Sequence, residues 1–382
     1  MALAIACPAE TVLDDVVVTP GDGAATSRPT TVRSVTRERL RGSPHLGEDV
    51  FRAVARVPGI AADEYGARFS IRGGEVDETL VLLDGMELYE PFHLKDVNGG
   101  ALSVIDVEAI SSAKIMPGVF PSRFGDRLSG VFDITSATPT DAGRTSLGLS
   151  MTNARLLSEG VLSGGRGHWL FVARRGYLDL VLGMTDASPQ VDLRPVYYDA
   201  YAKVSHGVGE RDTLSAHALW AADTMTIVGD EDTVDNSYGN GYAWLTWTTH
   251  LGESARGRTL LSAGRVTQNR LGIDVSGSGG RLNSEVREDR VFDFAGIKQE
   301  WVASPSEAHL LSAGFDLKRH AAAYDYTSAT RRQPSAAGEY CTNASLLDLT
   351  GTQVGLYVGD EIALGDALTV ELGARYDHAS WS

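Results

Sequence analysis

The sequence predicts a mixed α/β domain followed by an antiparallel sheet of about eleven strands. Three observations carry this. Between Arg68 and Ser136, short apolar runs are punctuated by glycine pairs and Asp-Gly turns, the signature of a compact α/β unit. From Thr145 onward the pattern changes to alternation of apolar and polar residues. Glycine supplies 42 of 382 residues while only 22% are charged, a balance that suits turns and half-buried strands better than a helical bundle. A chain of this length has room for more than one domain on the usual prior of about 100–200 residues each.

In order, residues 1–9 read as the remnant of a signal peptide. Ala4-Ile5-Ala6 has the small-x-small pattern of a cleavage site, which would make Cys7 the first mature residue. Residues 10–30 hold an acidic, β-branched run, Asp14-Asp15-Val16-Val17-Val18-Thr19-Pro20, and then a polar linker. That run has no strand partner nearby, so its backbone is available to another protein by strand addition. Residues 31–140 form the α/β domain. Thr31 to Val35 read as a strand and Thr36 to Leu40 as the start of a short helix. A second helix follows Ser43-Pro44, with Leu46, Val50, Val54 and Val57 at helical spacing and Pro58-Gly59 as its stop.

Residues 141–382 supply the alternating strands. In the clearest, Val196, Tyr198, Ala200, Ala202 and Val204 share one face, and Tyr197, Asp199, Tyr201, Lys203 and Ser205 the other. Thr213 to Asp223 repeats the pattern, with Leu214, Ala216, Ala218 and Trp220 on the apolar face. Leu368, Val370, Leu372, Ala374 and Tyr376 do so in the last run. The charged face would be costly in a dry core. Either the apolar face packs on a second sheet in a soluble sandwich, or it meets lipid in an outer-membrane barrel with a wet or filled lumen. Short turns such as Ser163-Gly164-Gly165-Arg166-Gly167 alternate with longer polar loops, as at the two ends of a barrel. Tyr197, Tyr198, Tyr242, Trp244 and Trp247 are expected near strand ends, as interfacial girdles. Asp230 to Asn236 read as a long solvated loop, lacking the glycine and distal glutamate of a calcium loop.

The order of elements resembles that of TonB-dependent outer-membrane receptors. Ile71-Arg72-Gly73 stands for an Ile-Arg-Gly strand and Leu83-Asp84-Gly85 for a strand ending Leu-Asp-Gly. A short helix and strand follow, then an aromatic-Gly arch at Phe120-Pro121-Ser122-Arg123-Phe124-Gly125 and a last strand from Gly130 to Ile134. The resemblance implies a plug domain at 31–140 and a transmembrane β-barrel from 141 onward. The strands present would be part of a plugged barrel of about 22 strands, and the chain a fragment of a longer receptor.

It further implies the outer membrane of a Gram-negative bacterium, with membrane lipid and the periplasmic energy-transducing protein TonB as partners. The activity implied is energised uptake of a scarce ligand of siderophore, cobalamin or oligosaccharide type. Asp14, Asp15, Val16, Val17, Val18 and Thr19 would occupy the TonB-box position. Arg72 would belong to a charged lock between plug and barrel. The second arginine of that lock aligns with Pro117, which leaves Lys114, Arg123 and Arg127 as stand-ins. Two loops, one with Glu75 and Asp77 and one with Glu87, Tyr89, Glu90, Phe92 and His93, would point outward and touch ligand. The alternative from another class is a smaller closed barrel, a passive pore or adhesin with a periplasmic plug-like domain.

Other functions are argued against. A net charge of -16 speaks against a nucleic-acid partner. Cys7 and Cys341 lie at opposite ends, which fits neither a disulfide framework nor a cysteine zinc site. There is no Gly-x-Ser-x-Gly elbow, no phosphate-binding loop and no His-Glu-x-x-His helix, so neither enzyme chemistry nor a cofactor is expected. His93 has no second ligand at metal spacing.

Overall fold

The computed structural model describes residues 32–42, 49–55, 57–62, 66–96, 99–118, 120–185, 192–275, 283–331, 340–365 and 368–382. The run from Asp14 to Thr19 lies outside them, as does Cys7. In chain order the N-terminal domain contains β1 (Arg33–Thr36), α1 (Arg37–Gly42), α2 (Val50–Val54), β2 (Ile60–Ala62) and β3 (Phe69–Ile71). It continues with β4 (Thr79–Leu83), β5 (Met86–Glu87), β6 (Phe92–His93), β7 (Leu102–Ser103), β8 (Ile110–Pro117) and β9 (Gly130–Ser136). Five strands form one mixed sheet in the order β1-β8-β9-β4-β5, in which only β4 and β9 run parallel.

Local chemistry explains these elements. All five residues of β4, Thr-Leu-Val-Leu-Leu, are buried, so the strand reads as a continuous apolar run rather than an alternating one. Leu83 and Met86 pair across a two-residue turn whose Asp84 and Gly85 both have positive φ, 48° and 82°. That is the Asp-Gly signal of a tight hairpin, and it turns the Asp84 carboxylate away from the domain's core. Helix α2 starts where the Asp49 side chain accepts the Arg52 N–H at 2.9 Å. Its buried Phe51 packs edge-on against Phe69, Phe92 and Phe132, with ring centroids 5.4, 5.3 and 5.7 Å away.

Eleven strands then form one antiparallel sheet in which each pairs with the next. They are β10 (Arg144–Leu149), β11 (Asn153–Val161), β12 (Gly167–Gly176), β13 (Asp192–Val208), β14 (Asp212–Val228) and β15 (Asp232–Leu251). The remaining five are β16 (Ala255–Asp274), β17 (Ser284–Ser306), β18 (His309–Arg331), β19 (Tyr340–Ala363) and β20 (Thr369–Trp381). The sheet curls around the N-terminal domain. Arg155 of β11 lies 3.7 Å from Asp106, and at the far edge Arg375 of β20 donates to the Arg123 carbonyl at 3.3 Å.

The two faces of the sheet are reversed relative to a soluble protein. Tyr197, Asp199, Tyr201, Lys203 and Ser205 are all buried, facing the domain. The apolar face points out: Leu214 is 45% exposed and Trp220 is 52% exposed. Polar inside and apolar outside is the pattern of a sheet facing lipid, and no second sheet covers the apolar face among the described residues. Connections are also sorted by length. The connections that follow β11, β13, β15, β17 and β19 are two to five residues long, and those that follow β10, β12, β14, β16 and β18 include the three longest, of 8 to 15 residues. No described helix is long and apolar enough to cross a membrane, a fact that leaves strands untouched.

Two sequence expectations are corrected. Tyr197, Tyr242 and Trp244 are not girdle residues at strand ends; they are buried on the inner face, where aromatic bulk fills the gap to the domain. Asp230 to Asn236 is no long loop. Strand β15 begins at Asp232, the Gly229 N–H bonds the Asp232 carbonyl at 2.8 Å in a tight turn, and Asn236 points inward.

Candidate functional site

The chemistry of this chain is concentrated where the N-terminal domain meets the inner face of the sheet. The segment from Glu87 to Asp96 leaves β5, and Glu90 and Leu94 both adopt positive φ, 52° and 53°. Such values are strained for non-glycine residues and persist only where surrounding contacts fix them. Those contacts come from the sheet. The Asp223 carboxylate accepts the Leu94 N–H at 2.8 Å, and Asn240 donates to the Glu90 carbonyl at 2.8 Å. Tyr242 donates to the Tyr89 carbonyl, and Asn236 and Tyr238 donate to Asp96 at 2.6 and 3.0 Å.

His93 is the centre of this contact. Its imidazole is fully buried, with Nε2 3.0 Å from Asp199 and Nδ1 3.3 Å from Asp223. The Tyr197 ring covers one face, with a 4.7 Å centroid separation. Asp199 also accepts from Arg174, whose Nη2 lies 2.9 Å from it and donates to the Ser103 carbonyl at 2.9 Å. Asp106 of the domain completes the cluster, 3.6 Å from Arg174. Burial disfavours the His93 cation, but hydrogen bonds and charges from Asp199 and Asp223 outweigh it and hold the pKa above the ordinary histidine value.

That shift gives a pH dependence with a fixed sign. A folded pKa above the unfolded one stabilises docking fully below about pH 6.5, the unfolded value, and the contribution fades as pH rises through the folded value. Protease sensitivity of the domain should therefore increase as pH rises beyond the ordinary histidine value, and His93→Gln should flatten this response. A domain equally protected across that range, with or without His93, would show that the imidazolium does not hold it.

Two further ion clusters flank this one. Asp84, at its hairpin, lies 3.6 Å from Lys203 and 3.4 Å from His217, accepts the Tyr201 hydroxyl at 2.9 Å and accepts the Ser136 N–H at 2.9 Å. Burial would raise its pKa, yet Lys203, His217 and the Ser136 bonds hold it below the usual carboxylate value. Glu87 is paired with Lys318 of β18 at 2.5 Å and with Arg127 of its own domain. The N-terminal domain thus supplies acids at Asp84, Glu87 and Asp106, and the sheet supplies cations at Lys203, Lys318 and Arg174.

The residues singled out in the sequence fall in several places. Arg72 is exposed, at a positive-φ turn (52°) with its guanidinium over Gly118, and makes no ion pair with the sheet among the described residues. Lys114 lines a cavity of about 490 Å³ between domain and sheet, with Arg258, Lys298 and Glu300. Arg123 stacks on Phe124 at 4.7 Å, and Arg127 pairs with Glu87 and Asp126, which reach Lys318 and Gln353 of the sheet. Glu75 and Asp77 are exposed in a short turn. Glu90 is exposed beside Lys95 at 3.3 Å, and Tyr89 is half-buried against Phe292 and Phe294. Phe92 and His93, expected in a ligand-facing loop, are instead buried, because the strained segment folds them under itself.

The sequence reading missed Asp96, Asp106, Arg174, His217, Asp223 and Lys318. The available signal was the charge on the inner face of the strands, which it registered at Asp199 and Lys203 without pairing them to the domain.

Comparison with known proteins agrees with this geometry. The model of the TonB-dependent receptor plug domain matches residues 24–131, and that of the TonB-dependent receptor-like β-barrel matches 163–382. No curated protein matches the chain in sequence. Among solved structures, the pyoverdine outer membrane receptor FpvA from Pseudomonas aeruginosa PAO1 is 13% identical, with a TM-score of 0.68 over 93% of this chain and 57% of that one. The ferric citrate transporter FecA, unliganded, is 16% identical, with a TM-score of 0.65 over 92% and 56%. The outer membrane transporter YddB from Escherichia coli is 13% identical, with a TM-score of 0.66 over 91% and 56%. At these identities the likeness shows the fold, and the chain spans a little over half the length of each. A plug-type domain held by polar contacts inside a lipid-patterned sheet, matched by family models over both parts, shows that the chain belongs to the TonB-dependent receptor family.

Proposed function

We propose that this chain acts in the outer membrane of a Gram-negative bacterium as an energised receptor. In this reading it takes up a scarce ligand of siderophore, cobalamin or oligosaccharide type and draws on TonB through Asp14 to Thr19. The observation that carries this reading is the character of the plug–sheet contact. Ion pairs and hydrogen bonds around His93, Asp84 and Glu87 are set into an apolar contact in which Leu157, Leu170, Val172 and Trp244 of the sheet join the plug core. The polar groups can exchange their partners for water when a domain moves, which the apolar part of the contact cannot. The position of β1 supports it as well. This first described strand pairs with Ser112 to Ile115, which border the short-turn end beside His250 and Arg256. In outer-membrane barrels short turns are periplasmic and long loops extracellular.

Transport by this route needs no covalent chemistry. Ligand on the long-connection side favours one arrangement of the segment from Glu87 to Asp96, and pulling on the N-terminal segment releases the ion clusters. The test is accumulation of radiolabelled ferric siderophores, cobalamin and neutral oligosaccharides in cells expressing the gene, with and without a protonophore. Uptake of one of them should vanish both with the protonophore and on deleting residues 14–19. Uptake that survives both treatments would establish a passive pore.

A further inference from the structure

Beside the His93 cluster, the plug and sheet border an open cleft of about 580 Å³, within the size range of ligand pockets. Its floor is Tyr89, Glu90 and Lys95, and its wall includes Arg290, Phe292 and Tyr324. Register sets Arg290 and Tyr324 in line with Asp223 across the sheet.

Two features define what it can hold. The first is a ledge of rings. Tyr89 lies 5.1 Å from Phe292 and 4.9 Å from Phe294, Phe292 lies 5.4 Å from His320, and Tyr324 stacks on Tyr326 at 6.2 Å and 14°. The second is charge balance. Lys95 is 3.3 Å from Glu90 and 5.1 Å from the Tyr238 ring; Arg290 is paired with Glu288 and lies 5.0 Å over Tyr324. Each cation at the cleft has its own acid, so there is no excess charge to select a polyanionic or polycationic ligand. Flat apolar rings flanked by matched donors and acceptors suit a ligand with apolar ring faces and several hydroxyls on its rim. The C–H face of a sugar ring stacks on tyrosine, while neighbouring hydroxyls bridge a carboxylate and a cation.

We propose that this cleft is a binding site for a neutral oligosaccharide. The inference rests on the receptor reading above and narrows its ligand. The experiment presents the full chain, purified in detergent, with an array of neutral gluco-, xylo-, manno- and chito-oligosaccharides, and with ferric citrate and a ferric tris-catecholate as anionic probes. Binding to at least one neutral glycan is expected, unchanged by added salt. Tyr324→Ala and Tyr89→Ala should each weaken it about tenfold through lost stacking. Tyr324→Phe should retain it, which separates stacking from folding. Trp220→Ala, on the outward face, should leave it unchanged.

Absence of any neutral glycan binding overturns the proposal, as does binding of the ferric chelates alone. Glycan binding indifferent to Tyr324→Ala and Tyr89→Ala removes it from this cleft. Binding of the periplasmic domain of TonB is measured on the same preparation. If that persists while glycans fail, the ligand assignment alone falls; if both fail, the receptor reading falls with it.

Discussion

Arg174→Met should undock the plug while leaving the sheet's own pairing intact. The guanidinium is fully buried, bonds Asp199 and the Ser103 carbonyl, and lies 3.6 Å from Asp106. Methionine fills similar volume but takes a shared cation from two buried carboxylates, one on each side of the contact, leaving Asp199 with His93 alone and Asp106 with Arg155 at 3.7 Å. Removing one member of a buried ion cluster costs about 3–5 kcal/mol, much of it the penalty on the charges left behind. Denaturant unfolding in detergent, followed by proteolysis at plug sites, should show the plug transition moving to lower denaturant by that amount. Adding Asp106→Asn should recover part of the loss, because one stranded charge is then removed. Equal stability of Arg174→Met and wild type would mean that the cluster does not hold the plug.

The second large effect is expected inside the plug. Phe51→Ala removes a fully buried ring that touches Phe69, Phe92 and Phe132. Truncations of this kind cost about 3–5 kcal/mol, from lost transfer energy and from the cavity left behind. Phe92 stands one residue before His93, so loosening this cluster also loosens the His93 contact. The plug should therefore unfold at lower denaturant and lose the pH response of its protease protection. The exposed-face change Leu214→Ala serves as the comparison, with an effect within about 0.5 kcal/mol on the plug. Similar plug stabilities for Phe51→Ala and Leu214→Ala would contradict the role given to the phenylalanine cluster.

Much of the fold was legible because it rests on short-range signals. The Asp84-Gly85 turn, the apolar run of β4 and the two-residue period of β13 each follow from neighbours in sequence, and all three are present. Even the reversal of faces in the large sheet was open to reading, since Asp199 and Lys203 alternate with Val196 and Val204. What sequence could not give was pairing across the contact. His93 meets Asp199 and Asp223, 106 and 130 residues away, and no local pattern marks that meeting. The Arg72 expectation shows the converse. A residue singled out by motif stands at a positive-φ turn with its guanidinium over Gly118 of its own domain, and the motif names no partner in the sheet. The aromatics are a third case: a Tyr or Trp on an inward position fills the gap to the plug, and only the strand's true register tells it from a girdle residue.

Titration of the purified chain with the periplasmic domain of TonB, followed by calorimetry, tests the central reading most directly. Saturable binding is expected, and it should disappear when residues 14–19 are deleted while the rest of the chain keeps its fold. No binding, or binding that persists without those residues, would contradict a receptor driven through its N-terminal segment.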